Sequence, residues 1–132
     1  MDITQRIVCR GVCGATTAEA DTTEAISSAM KGLLVGIMSA NGIREEDIAA
    51  VTFTSTPDLH AVSPCHVVRH MGVAWEYVPL MGVMEPSHTG GMERVIRVLL
   101  LWNTDTAPRE IKHLYLRGTE RLRTAGVAEV AC

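Results

Sequence analysis

The run Val95-Ile96-Arg97-Val98-Leu99-Leu100-Leu101-Trp102 is the most apolar stretch of the chain, and it carries a permanent cation. Its length and branched side chains, following Gly90-Gly91, predict a strand covered on both faces. A guanidinium keeps its proton at any ordinary pH, so burial of Arg97 calls for an anion beside it. Either the protein or a ligand must supply that anion. The fold has to build layers around this strand, and the identity of the anion bears on function.

The other elements follow in order. Ile7 to Cys13 reads as a first strand ending at Gly14, followed by a polar loop, Ala15 to Ala20. Asp21, Thr22 or Thr23 can cap a long helix that Asn41-Gly42 ends. Within it Ile26, Met30, Leu33, Leu34, Ile37 and Met38 form one apolar stripe, the mark of a helix packed on a sheet. A turn at Glu45-Glu46-Asp47 leads to a strand over Ala49 to Thr56. Ser63-Pro64 opens a short helix to about Met71. Strands near Trp75–Leu80 and His113–Arg117 flank the Arg97 strand, and the tail from Gly118 is mixed in character. Five strands with one long and one short helix predict a single α+β domain over residues 1–132, with a five-stranded mixed sheet. One helical layer leaves the other sheet face bare and apolar, and oligomerisation is the natural remedy.

Composition excludes several classes. A net charge of −3 and 4% aromatic residues argue against a nucleic-acid or anionic-membrane surface. No apolar stretch is long enough for a membrane span, since Arg97 and Asn103 interrupt the best one. Met1 to Arg6 lacks the basic-then-apolar order of a signal peptide, which predicts a cytoplasmic protein with its four cysteines, Cys9, Cys13, Cys65 and Cys132, as free thiols. There is no zinc-like Cys/His spacing, and His66 and His70 at i,i+4 read as a solvated helix face.

Several strings in fixed order carry a family resemblance. They are Arg10-Gly11-Val12-Cys13-Gly14-Ala15-Thr16-Thr17, Ser55-Thr56-Pro57-Asp58-Leu59-His60-Ala61-Val62, Trp75-Glu76-Tyr77-Val78-Pro79, Thr89-Gly90-Gly91 with Arg97, Thr104-Asp105, and His113-Leu114-Tyr115-Leu116. Together they resemble the AroH-type chorismate mutases over nearly the whole chain. The resemblance implies a homotrimer with a barrel-like core and active sites between subunits. It implies the Claisen rearrangement of chorismate to prephenate, without nucleophile, metal or cofactor.

By position, the resemblance puts Arg97 at the substrate's ether oxygen and Glu85 at its ring hydroxyl. It puts Tyr115 at the side-chain carboxylate, Arg69 near the pocket mouth and Arg123 on a closing tail, with Leu80 and Leu122 as pocket walls. Departures are equally specific. Cys13 stands where the family has a second arginine, Ser63 where an aromatic lines the pocket, His66 where a lysine sits at its mouth, and Gly82 where a side chain contacts the ring hydroxyl. Arg10 cannot replace the missing cation, because three residues along a strand it faces the other way.

Taken alone, the residues favour an internal partner for Arg97, such as Asp105 or Glu85; the resemblance favours a ligand. Asp58 and His60 read as structural, since a pericyclic step needs no acid–base pair. Three functions follow: a chorismate mutase with a relaxed carboxylate site, a same-fold mutase for isochorismate or an amino-deoxychorismate, and a trimeric carboxylate binder with weak catalysis.

Overall fold

A computed structural model describes residues 6–124. Its sheet has five strands: β1 Val8–Thr17, β2 Ile48–Ser55, β3 Leu80–Met84, β4 Val95–Thr104 and β5 Leu114–Tyr115, in the order β3-β2-β4-β1-β5. The helices are α1 Thr23–Asn41, α2 Pro64–Arg69 and α3 Glu120–Thr124. β4 runs antiparallel to both β1 and β2, while β2–β3 and β1–β5 are parallel pairs, so the sheet is mixed as expected.

α1 starts and stops where its sequence says. The Thr22 hydroxyl accepts the Ala25 N–H at 3.1 Å, and Gly42 closes the helix at φ 67, a left-handed conformation that glycine adopts without strain. The whole apolar stripe except half-buried Met38 is buried against the sheet. The opposing sheet face consists of Val12, Phe53, Ile96, Val98, Leu100 and Trp102, and Phe53 and Leu100 are fully buried. Burying side chains of this size contributes on the order of 2 kcal/mol each before conformational entropy is charged against it.

The central strand is covered on one face only, contrary to the expectation from its apolar run. Burial along β4 alternates: Ile96, Val98, Leu100 and Trp102 lie in the core, whereas Arg97 and Leu101 are half-buried and Leu99 is 41% exposed. All helical cover comes from α1 and α2, and the odd-numbered face of β4 is left to the sheet's other side.

Three strand boundaries also differ. β1 does not end at Gly14 but runs to Thr17, in unbroken register with β4 from Val8↔Thr104 to Thr17↔Val95. Gly14 marks a close approach instead: a Cβ there would lie 2.6 Å from Ile37 Cδ1 and 2.8 Å from the Leu114 carbonyl oxygen. Residues 75–79 form no strand; Val73–Tyr77 is a 3-10 turn and β3 begins only at Leu80. Trp75 is buried there, and its ring needs a turn to reach the core. The last strand is just Leu114–Tyr115, because Thr119 then folds back to bond Ala15 O and Leu116 O.

Cys9 and Cys65 are free thiols, but Cys13 is disulfide-bonded, so the expectation of free thiols fails at that position. Nothing in linear spacing reports such a contact. Cys132 lies outside the described residues.

Candidate active site

The uncovered sheet face carries the site. Thr54 on β2 and Ala15 on β1 are the register partners of Arg97 on β4, and Tyr115 on β5 is the partner of Ala15. Paired residues share a face, so Thr54, Arg97, Ala15 and Tyr115 form one row across four strands. Cys13 lies in the next row beside Leu99, on the same side. Arg10 lies on the opposite side with its Nε donating to Thr106 O at 3.3 Å, so it cannot stand in for a cation at position 13.

Glu85 follows β3 directly and is anchored by its N–H to Ser55 O at 2.8 Å. Its Oε1 accepts from Arg97 Nη1 at 2.8 Å, with the two side chains 21% and 30% exposed. The internal carboxylate that the residues alone suggested is therefore Glu85. A cavity of about 320 Å³ opens beside the pair, lined by Glu85, Arg97, Leu122, His88, Thr56 and Met92 among others.

Tyr115 shares the sheet face of Arg97. Burial pushes its phenol above the usual range, while the positive fields of Arg97 and Arg123 work against that shift. The Tyr115 hydroxyl and the Thr54 hydroxyl are both buried with no hydrogen-bond partner among the described residues. Orphaned buried hydroxyls on either side of an arginine are costly in an empty site and useful in a filled one.

The remaining candidates sit elsewhere. Ser63 caps α2, its Oγ accepting the Cys65 N–H at 3.2 Å, and lines a second cavity of about 320 Å³ with Gly82. A Cβ at Gly82 would stand 3.3 Å from Cys65 Sγ, so the missing side chain lets α2 approach β3. Leu80 pairs with Val51 and packs, partly buried, against the core. Arg69 donates through Nη1 to the carbonyls of Trp75, Glu76 and Val78, holding the 3-10 turn. His66 stacks against His70 on α2, ring centroids 4.3 Å apart, and no metal-type cluster of three ligands occurs among the described residues.

The Thr56 to Ala61 string is structural, as its turn chemistry suggests. Asp58 Oδ2 accepts the Arg94 N–H at 2.9 Å, fixing a residue at φ 50. Asp21 Oδ1 accepts the His60 and Ala61 N–H groups at 2.8 and 2.9 Å, which holds its carboxyl below the usual range.

An arginine on a bare sheet face, a glutamate at its side and a tyrosine in the same row of the sheet form a site for a small polyanion. The family model for chorismate mutase type I matches residues 9–125. The chain belongs to that family. Among its relatives, the chorismate mutase AroH of Thermus thermophilus is 47% identical over 115 residues, covering 86% of this chain and 93% of that protein. The AroH enzyme of Bacillus subtilis is 41% identical over 114 residues, covering 86% and 89%. A solved chorismate mutase from Clostridium thermocellum superimposes with a TM-score of 0.81 at 36% identity, covering 86% of this chain and 99% of that one. Thr54 escaped the sequence reading because a threonine in an alternating strand carries no signal; only the register sets it beside Arg97.

Proposed function

We propose that the family's reaction, the rearrangement of chorismate to prephenate, proceeds here against the row formed by Arg97 and Tyr115. The reaction is intramolecular: an ether C–O bond breaks as a C–C bond forms, and no atom enters or leaves. The enzyme's task is to hold the compact conformer and to stabilise the negative charge developing on the ether oxygen. Arg97 does the second without reorganising, because Glu85 fixes its guanidinium before substrate arrives. Glu85 then has an oxygen free for the ring hydroxyl. Tyr115 and Arg123 take the side-chain carboxylate, with Leu122 as an apolar wall.

The same reading makes the working form a homotrimer. Met81, Val83 and Leu99 are 62%, 47% and 41% exposed on the bare face, an apolar surface that a second copy would cover. Ser63 and Gly82 line a cavity apart from that of Arg97, which suits a site completed by the neighbouring copy. Arg69 supports that wall through the 3-10 turn.

The observation that carries this reading is the half-buried Arg97–Glu85 pair opening on a cavity, with Tyr115 in the same row of the sheet as Arg97. Chorismate consumption, followed by loss of its ultraviolet absorbance, tests it alongside isochorismate and amino-deoxychorismate. Chorismate is expected to be the best substrate, and Arg97→Ala to lower kcat at least about a hundredfold with the fold intact. Preference for a relative moves the substrate assignment, with Cys13 as the specificity residue. Binding without turnover makes the protein a carboxylate binder. Light scattering should report three 14.3 kDa chains per particle.

A further inference from the structure

The residues just before β5 are tied down twice. Asn41, at the end of α1, accepts the Lys112 N–H through Oδ1 at 2.8 Å and donates through Nδ2 to Lys112 O at 2.9 Å. The next residue, His113, accepts the Cys13 N–H at Nδ1, 2.9 Å away. A backbone N–H can only donate, so Nδ1 holds a lone pair and the neutral ring keeps its proton on Nε2. The donor, not an observed hydrogen, assigns this tautomer.

The ladder it joins is very short. β1 and β5 pair only at Gly14↔Leu114 and Ala15↔Tyr115, with the Leu116 N–H reaching Ala15 O at 2.9 Å. The imidazole adds a rung at the open end, taking an N–H of β1 that no strand reaches. Tyr115 is two residues further on.

We propose that His113 is a positioning residue for Tyr115: its neutral imidazole latches the start of β5 to β1, and protonation opens that latch and weakens substrate binding. The proposal rests on the reading of Tyr115 as a substrate-binding residue. A protonated ring would set Nδ1–H against the Cys13 N–H, two donors face to face. The surroundings oppose that state. Burial, and secondarily the field of Arg123 from α3, hold the imidazole below its usual pKa. Of the groups tied to this segment, Cys13 on β1 is disulfide-bonded and Asn41 on α1 is an amide, so neither carries a charge, and the adjacent Lys112 is exposed. The stabilisation is therefore complete above the ordinary histidine pKa, about 6.5. It is lost as pH falls through the lowered value in the fold.

The test measures kcat and KM for chorismate from about pH 5 to about pH 8 on the parent, His113→Asn and His113→Leu, with thermal unfolding at each pH. An asparagine oxygen can replace Nδ1 as acceptor and does not titrate; leucine fills the space without accepting. The parent should hold a constant KM through neutral pH and show a rise on the acid side that exceeds any fall in kcat. His113→Asn should keep the neutral KM within about threefold and lose the acid rise, whereas His113→Leu should show a KM raised about tenfold at every pH. An acid rise in His113→Asn equal to the parent's overturns the proposal, as does a parental KM in His113→Leu. Should His113→Leu not fold, the asparagine profile alone decides. If the parent does not turn over chorismate, the assigned reaction fails, and the latch is read without substrate from nuclear magnetic resonance. The Cys13 amide shift should then follow the His113 titration, and independence of the two overturns the latch.

Discussion

Replacing Gly14 by alanine tests whether the two sides of the sheet meet at β5. The added Cβ would lie 2.6 Å from Ile37 Cδ1, 3.1 Å from Leu33 Cδ1 and 2.8 Å from Leu114 O. Carbon atoms prefer about 3.5–4.0 Å, so all three contacts are too close. The two methyl groups end flexible side chains and can swing. The carbonyl cannot, because Leu114 is bracketed by the Asn41–Lys112 pair and the Leu116–Ala15 bond. Relief must come from β5 shifting by about half an ångström. Overpacking of this kind costs about 1–3 kcal/mol, and a weakened rung adds about 1 kcal/mol. Alanine recovers about 0.5–1 kcal/mol over glycine in a strand. The net loss is about 2 kcal/mol. With an unfolding entropy of about 2.1 cal/mol/K per residue, a chain of 132 residues should lose about 7 °C in Tm. Because Tyr115 moves with β5, kcat/KM should fall about tenfold. Gly36→Ala is the control. Its Cβ would meet Leu114 Cδ2 at 2.6 Å, the end of a side chain that can rotate away. Helix propensity favours that change by about 1 kcal/mol, so its net effect should be small. Calorimetry and steady-state kinetics on both variants decide the matter. A Gly14→Ala protein with parental Tm and kcat/KM, or a Gly36→Ala protein worse than it, refutes the reasoning.

Arg69→Met should lower stability by about 2 kcal/mol, since three carbonyls lose a charged donor, as denaturant titration would show. A raised KM with unchanged stability would make Arg69 a substrate ligand instead. Cys13→Arg, assayed against the parent in reductant, should raise kcat/KM roughly tenfold or more by supplying a second charged contact to a carboxylate. Lower activity on the best substrate would mark Cys13 as a specificity residue. Asp21→Ala should lower the Tm at neutral pH. The parent's advantage over it should fade as pH falls through the lowered Asp21 pKa, because a protonated carboxyl no longer accepts well from the His60 and Ala61 N–H groups. A gap in Tm that is constant with pH would rule out the carboxylate as its source.

Helix α1 was legible to within a residue, with Thr22 the cap among Asp21, Thr22 and Thr23, because its stripe, cap and Gly42 stop act within a few turns of chain. β1 was misread for the same reason: a glycine read locally ends a strand, whereas Gly14 is there to let Ile37 and Leu114 come close. The candidate site divides along similar lines. Arg97, Glu85 and Tyr115 could be named from ordered motifs. The use of Arg69 on three carbonyls, the packing of Leu80 against the core and the orphaned Thr54 hydroxyl depend on register and on loops packing together.

What the sequence by itself determined is the five strands with one long and one short helix, the mixed sheet and the presence of a fixed cation on its central strand. Periodicity, caps and charge are properties of neighbouring residues and survive being read in one dimension. Only the tertiary structure decided that Arg97 lies on the bare face, that Glu85 and not Asp105 is the carboxylate shown closing on it, and that His113 holds β5 against β1. Each joins residues far apart in the chain, and each depends on distances that the order of residues does not contain: 2.8 Å for the ion pair and 2.9 Å for the imidazole bond.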